Sequence, residues 1–131
     1  MADLGQLLWL RKSEALMVYE VVRSIESDRD LELIFDHLER SYLSLGDPPK
    51  DAIERAASRI MKIEDEMEKL GLTPFQGTLI PEIFPDLRRV TKDNVIYYFI
   101  SNKGSKTLQI LAIFFGGQNH IVHMLNRLLA E

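Results

Sequence analysis

The chain has 131 residues, 46% hydrophobic and 27% charged, with a formal net charge of −4. That balance suits one soluble globular domain with a single core and argues against disorder. The absence of cysteine excludes a disulfide framework and a cysteine-based metal site, and is compatible with a reducing, cytoplasmic setting.

No apolar run approaches the roughly 20 residues of a membrane span. The start, MADLGQLLWLRK, has a brief apolar patch whose positive charges follow it, the wrong order for a secretory signal. Met17 sits immediately before a strand pattern. Residues 1–16 therefore read as an N-terminal extension, and residues 17–131 as the domain.

Val18–Ile25 alternates as a strand should. Ser27 reads as the N-cap of a helix over Asp28–Leu45, with Asp28 and Asp30 in its first turn, where carboxylates suit the helix dipole. Leu31, Ile34, Phe35, Leu38, Tyr42 and Leu45 make its apolar stripe, and Gly46 stops it. Asp47-Pro48-Pro49 turns the chain into a second helix, about Pro49 to Leu70. Its stripe is Ile53, Ala56, Ala57, Ile60, Ile63, Met67 and Leu70, and Gly71 is its stop. Two long helices with a short connector predict an antiparallel hairpin.

Residues 72–86 hold three prolines and a glycine and read as a loop. Three strand patterns follow: Leu87–Thr91, Val95–Ile100 and Thr107–Phe115. Turns at Thr91-Lys92-Asp93-Asn94 and Asn102-Lys103-Gly104-Ser105 join them into a meander. Gly116-Gly117 ends the last strand. Ile121, Met124, Leu125, Leu128 and Leu129 then mark an amphipathic helix. The order β-α-α-β-β-β-α predicts an α+β fold. A small antiparallel-type sheet is covered on one face by the helical hairpin and closed by a C-terminal helix.

Charge divides along this order. Residues 17–74 carry 8 basic and 14 acidic side chains; residues 86–131 carry 6 basic and 3 acidic ones. A positive half within an acidic protein can meet an acidic partner or phosphates, or simply be a solvated sheet surface. Arg88, Arg89 and Lys92 are candidate anion-binding residues, although salt bridges to the acidic helices would serve as well. Adjacent strand residues point to opposite faces, so Arg88 and Arg89 cannot share one. The same rule puts one ring of Tyr97-Tyr98 inward and the other outward. An outward ring can stack on a base or donate a proton, or merely cover the sheet. His120 and His123, three apart near the C-terminus, suit acid–base chemistry. With no third ligand nearby they do not make a metal site, and Asn119 reads as a cap. No Walker loop, dinucleotide fingerprint or nucleophile elbow is present, so no cofactor is expected.

The series LRRV, VIYYF, LQILAIFFGGQNH and RLL, following a strand and a long helical hairpin, resembles the ParE/RelE superfamily. These are toxins of bacterial type II toxin–antitoxin modules, also described as plasmid stabilisation proteins. The resemblance runs from about Val18 to Leu129. It implies a cytoplasmic protein that arrests growth when free and is neutralised by a cognate antitoxin lying across sheet and hairpin. RelE-like members cut mRNA on the ribosome, whereas ParE-like members poison DNA gyrase. The long hairpin, the net charge of −4 and Gln118-Asn119 after the last strand favour the ParE side. In that reading Arg88, Arg89, Lys92, Tyr97, Tyr98 and Arg127 contact antitoxin or target. The alternative is a ribosome-dependent endoribonuclease, with Arg88 stabilising the charged transition state and His120 or His123 as acid or base. A non-toxic interaction domain is the third. The full C-terminal helix, longer than the short tail of ParE-like members, would shield the site, bind the antitoxin or pair two copies as a homodimer.

Overall fold

The structure is a computed structural model that describes residues 18–115 together with Met124, Asn126 and Arg127. Strand β1 (Glu20–Arg23) leads into helix α1 (Ile25–Ser44) and helix α2 (Pro49–Lys69), followed by a 3-10 turn (Leu70–Leu72). Strands β2 (Thr78–Leu79), β3 (Leu87–Lys92), β4 (Val95–Asn102) and β5 (Thr107–Phe115) complete one sheet in the order β1-β5-β4-β3-β2. The expected α+β architecture is present, with the helical hairpin over one face. Two details differ. The sheet is mixed, because β1 runs parallel to β5 while the other pairs are antiparallel. The loop after the hairpin contains β2, which extends the sheet to five strands. The closing helix lies outside the described residues, except that Met124, Asn126 and Arg127 are helical.

Helix α1 begins earlier than its sequence suggests. Ser24, not Ser27, is the N-cap: its side chain accepts from the Ser27 N–H at 3.0 Å, and the Ser27 hydroxyl donates back to Ser24 O at 2.8 Å. Two small hydroxyl residues three apart thus satisfy each other at the helix start. Glu26 and Asp28 occupy the first turn. Asp30 falls one turn further on and faces the sheet.

The second helix gives up its last residue to a 3-10 turn. Gly71 is required there for room rather than for a helix stop, since a Cβ would meet Tyr19 O at 2.4 Å. That contact accompanies a hydrogen bond from Tyr19 N–H to Gly71 O, which ties the end of the hairpin to the start of β1. In α2 the buried line is Ala52, Ala56, Ile63 and Met67, leaving Ile53 and Ala57 exposed. Each stands one residue, about 100°, past a buried alanine and so looks out. Leu45, at the tip of the hairpin, is also exposed.

Two cores sandwich the sheet. On the hairpin side Tyr19, Leu31, Ile34, Ile63, Met67, Tyr97, Phe99, Leu108, Ile110 and Ile113 pack together. On the other side Ile80, Leu87, Ile96, Tyr98, Ala112, Phe114 and Met124 form a smaller cluster under the 80–86 loop and the C-terminal segment. A bulge explains how β5 serves both. Tyr98 pairs with Ala112 and Phe99 with Ile110, so Leu111 is the extra residue, and the inward phase passes from Ile110 to Ile113.

Candidate functional site

The bulge also places a buried carboxylate that accepts three hydrogen bonds. Beyond Ile110, β5 loses β1 as a neighbour, so Leu111 O and Ile113 N–H have no strand opposite them. Asp30, 5% exposed, accepts from Ile113 N–H at 3.0 Å. Arg127 answers with both ends of its guanidinium, Nη1 to Asp30 Oδ2 at 2.9 Å and Nη2 to Oδ1 at 2.8 Å, and gives Leu111 O a further bond at 3.1 Å. Arg127 also lies 5.5 Å from the centroid of Phe114. Arg127 is thereby fastened to α1 and β5. Arg127, expected to contact a partner, holds this bidentate internal pair.

The basic residues of β3 separate. Arg88 lies on the hairpin side, where Nη1 donates to Phe75 O at 2.7 Å and Cζ stands 5.4 Å from the Phe75 ring centroid. Arg89 pairs across from Tyr98 and takes the opposite face. Lys92 returns to the hairpin side four residues on, roughly 13 Å from Arg88 along the strand. There Nζ lies 3.5 Å from Glu66 on α2, the salt bridge to the acidic helices that the sequence had offered as an alternative. Arg59 bonds Asp93 O in the same neighbourhood. Asp93 and Asn94, both with positive φ, make the tight β3–β4 turn.

Tyr97 and Tyr98 do point to opposite faces, but neither ring is outward in the sense expected: they are 1% and 0% exposed. The reason is the second cover, because the 80–86 loop and Met124 lie over the face that a single hairpin leaves open. Burial, reinforced by the nearby carboxylate of Glu66, raises the Tyr97 pKa far above the ordinary phenol value. His120 and His123 lie outside the described residues. His37 is exposed, with its ring 5.9 Å from Phe115. Among the described residues no group of three or more His, Cys, Asp or Glu side chains could hold a metal ion, and no helix is long and apolar enough to cross a membrane.

Two of the surface recesses among the described residues bear on binding. One, of about 560 Å³, joins Phe75 and Leu79 to Arg88 and Lys103 at the β2 end of the sheet. The other, of about 640 Å³, runs between α1 and α2 over Leu31, Phe35 and Ile60. Asp28, Glu32, Asp36 and Glu64 rim it, and Arg23 at its end is shared by Asp28 and Glu64 at 2.7 Å each. Sequence reading missed Asp30, Phe75 and Lys103. Asp30 had one usable signal: it sits one position before Leu31 and four before Ile34, on the apolar side of α1. Phe75 and Lys103 had none, since both lie in turns brought together by the sheet.

No family model and no curated protein matches the chain. Among solved structures it is similar to a chain of the chromosomal ParDE TA system from P. aeruginosa, at 22% sequence identity and a TM-score of 0.57. The alignment covers 76% of this chain and 98% of that one. Over about three quarters of its length the chain therefore shares the fold of nearly the whole of that ParDE chain.

Proposed function

We propose that the chain is a ParE-like toxin of a type II toxin–antitoxin module, held inactive by a proteinaceous antitoxin and acting on DNA gyrase. The fold likeness to nearly the whole of a ParDE chain supports this reading, together with the sequence resemblance. The antitoxin would lie across the hairpin and sheet, where the interhelical groove offers an apolar floor between carboxylate rims.

The placement of the basic residues favours this over the ribonuclease reading. Cleaving a phosphodiester calls for several cations around one phosphate. Here Arg88 is held by Phe75 O, Arg89 takes the other face and Lys92 pairs with Glu66. No described site gathers them, and neither tyrosine is exposed for stacking on a base.

The test is to induce the chain without antitoxin and follow protein synthesis by pulse label, then add purified protein to a gyrase supercoiling assay. Continued synthesis through the first minutes, followed by growth arrest and inhibited supercoiling, is the expected result. A prompt collapse of synthesis that disappears in a His120→Ala/His123→Ala double variant would replace it with the ribonuclease. Unimpaired growth with soluble, folded protein would leave only an interaction domain.

A further inference from the structure

The sheet ends on an unusually short edge. Strand β2 is two residues long, and Thr78 pairs with Arg89 while Ile80 N–H donates to Leu87 O at 2.8 Å. The alternation of an antiparallel ladder then turns the N–H and C=O of Leu79 away from β3, toward solvent. The Leu79 side chain is 48% exposed and forms one wall of the 560 Å³ recess.

The floor of that recess is Phe75, and two cations share its ring. Arg88 Cζ is 5.4 Å and Lys103 Nζ 5.2 Å from the centroid. The bond to Phe75 O fixes the guanidinium while leaving donors to spare, and among the described residues neither cation has a salt-bridge partner. Lys103 is positioned by its turn, where Asn102 Oδ1 accepts from Gly104 and Ser105 N–H at 2.8 and 3.1 Å. Two cations without a salt-bridge partner among the described residues, set on an aromatic floor, suit an anion.

A carboxylate fits better than a run of phosphates. Asp86 also lines the recess and would repel a polyanion, and the cations form one pair rather than a track. The open backbone of Leu79 beside them supplies what an extended peptide needs, one donor and one acceptor at an edge. We propose that the β2 edge and this recess bind an extended acidic segment of a partner protein by strand addition. Its carboxylate is held by Arg88 and Lys103, and an apolar side chain two residues away packs on Phe75 and Leu79, the spacing that keeps both on one face. This deepens the reading of Arg88 as a contact residue but needs no toxicity.

Panning a random heptapeptide phage library on the wild-type chain and on Lys103→Glu tests it. The wild type should enrich Asp or Glu two positions from Leu, Ile, Val or Phe, and the variant should not. A synthetic peptide of that consensus, followed by fluorescence anisotropy, should bind Lys103→Glu at least 10-fold more weakly. It should also weaken in 0.5 M salt and on N-methylation of its central residue. Arg88→Lys, which keeps the charge and loses the fork, should weaken binding too. The proposal is overturned by the absence of a consensus, by a consensus without an acid, or by undiminished binding to Lys103→Glu. It is equally overturned if poly(U) binds more tightly than the peptide and loses affinity in the same variant. Growth and gyrase play no part in these readouts, so the recess and the toxin reading can fail separately.

Discussion

Replacing Asp30 by Ala should be the most damaging single change at any described charged position. The carboxylate accepts three hydrogen bonds, from Ile113 N–H and from two nitrogens of Arg127. Removing it strands a buried N–H and a guanidinium that is 23% exposed. Breaking one side of such a buried pair costs about 3–5 kcal/mol, most of it from the uncompensated partner rather than from the lost attraction. For a domain of this size about 3 kcal/mol lowers Tm by roughly 10 °C. Asp30→Asn keeps an acceptor and should fall between. The informative variant is the double one, Asp30→Leu with Arg127→Met. It removes both charges and should recover much of the loss, leaving mainly the unbonded Ile113 N–H, since Leu111 O keeps the bond from the Ser24 hydroxyl. Urea melts of the wild type, Asp30→Leu, Arg127→Met and the double variant give the coupling energy directly. A loss under about 1 kcal/mol for Asp30→Ala, or a double variant no better than the single, would refute the argument that this pair fastens Arg127 to α1 and β5.

Other consequences are simpler. Gly71→Ala should cost about 1–3 kcal/mol, because its Cβ would stand 2.4 Å from Tyr19 O. Gly46→Ala, with nothing within 4 Å, should cost only the roughly 1 kcal/mol of its positive φ; thermal melts of the pair separate space from conformation. Tyr19→Phe should be neutral or slightly stabilising by chemical denaturation, since the buried hydroxyl has no partner among the described residues. Tyr97 is held protonated by burial, so its folded pKa lies above its unfolded value near 10. Its contribution to stability is complete below pH 10 and declines above it, by up to about 1.4 kcal/mol per pH unit as the unfolded chain ionises first. Alkaline melts of Tyr97→Phe should show a shallower decline.

Periodicity and turn chemistry determined the elements of this protein. The 3.6-residue stripes at Leu31, Ile34 and Leu38 and at Ala56, Ile63 and Met67 specify two amphipathic helices, and the Pro-Pro connector specifies their hairpin. Asp93-Asn94 can take the two positive φ values of a tight turn, which sets the β3–β4 register without tertiary help. These are local properties, decided by backbone sterics and by which residues avoid water. Tertiary structure decided the rest. That β1 runs parallel to β5 depends on a pairing across more than 80 residues, and β2 exists only because Gly77 lets the chain come close to Arg89 O. Tyr98 is buried because the 80–86 loop and Met124 cover its face, a fact that no pattern within β4 contains. The bulge at Leu111 shifts the phase of β5 and leaves the backbone groups that Asp30 and Arg127 satisfy from 83 and 16 residues away. Charges read from sequence as surface became structural or stayed free according to what the fold set opposite them. Arg127 found Asp30 and Lys92 found Glu66, while Lys103 was left on Phe75 with room for an anion. The electrostatics of a side chain belong to its neighbours in space, and those are fixed only when the sheet closes.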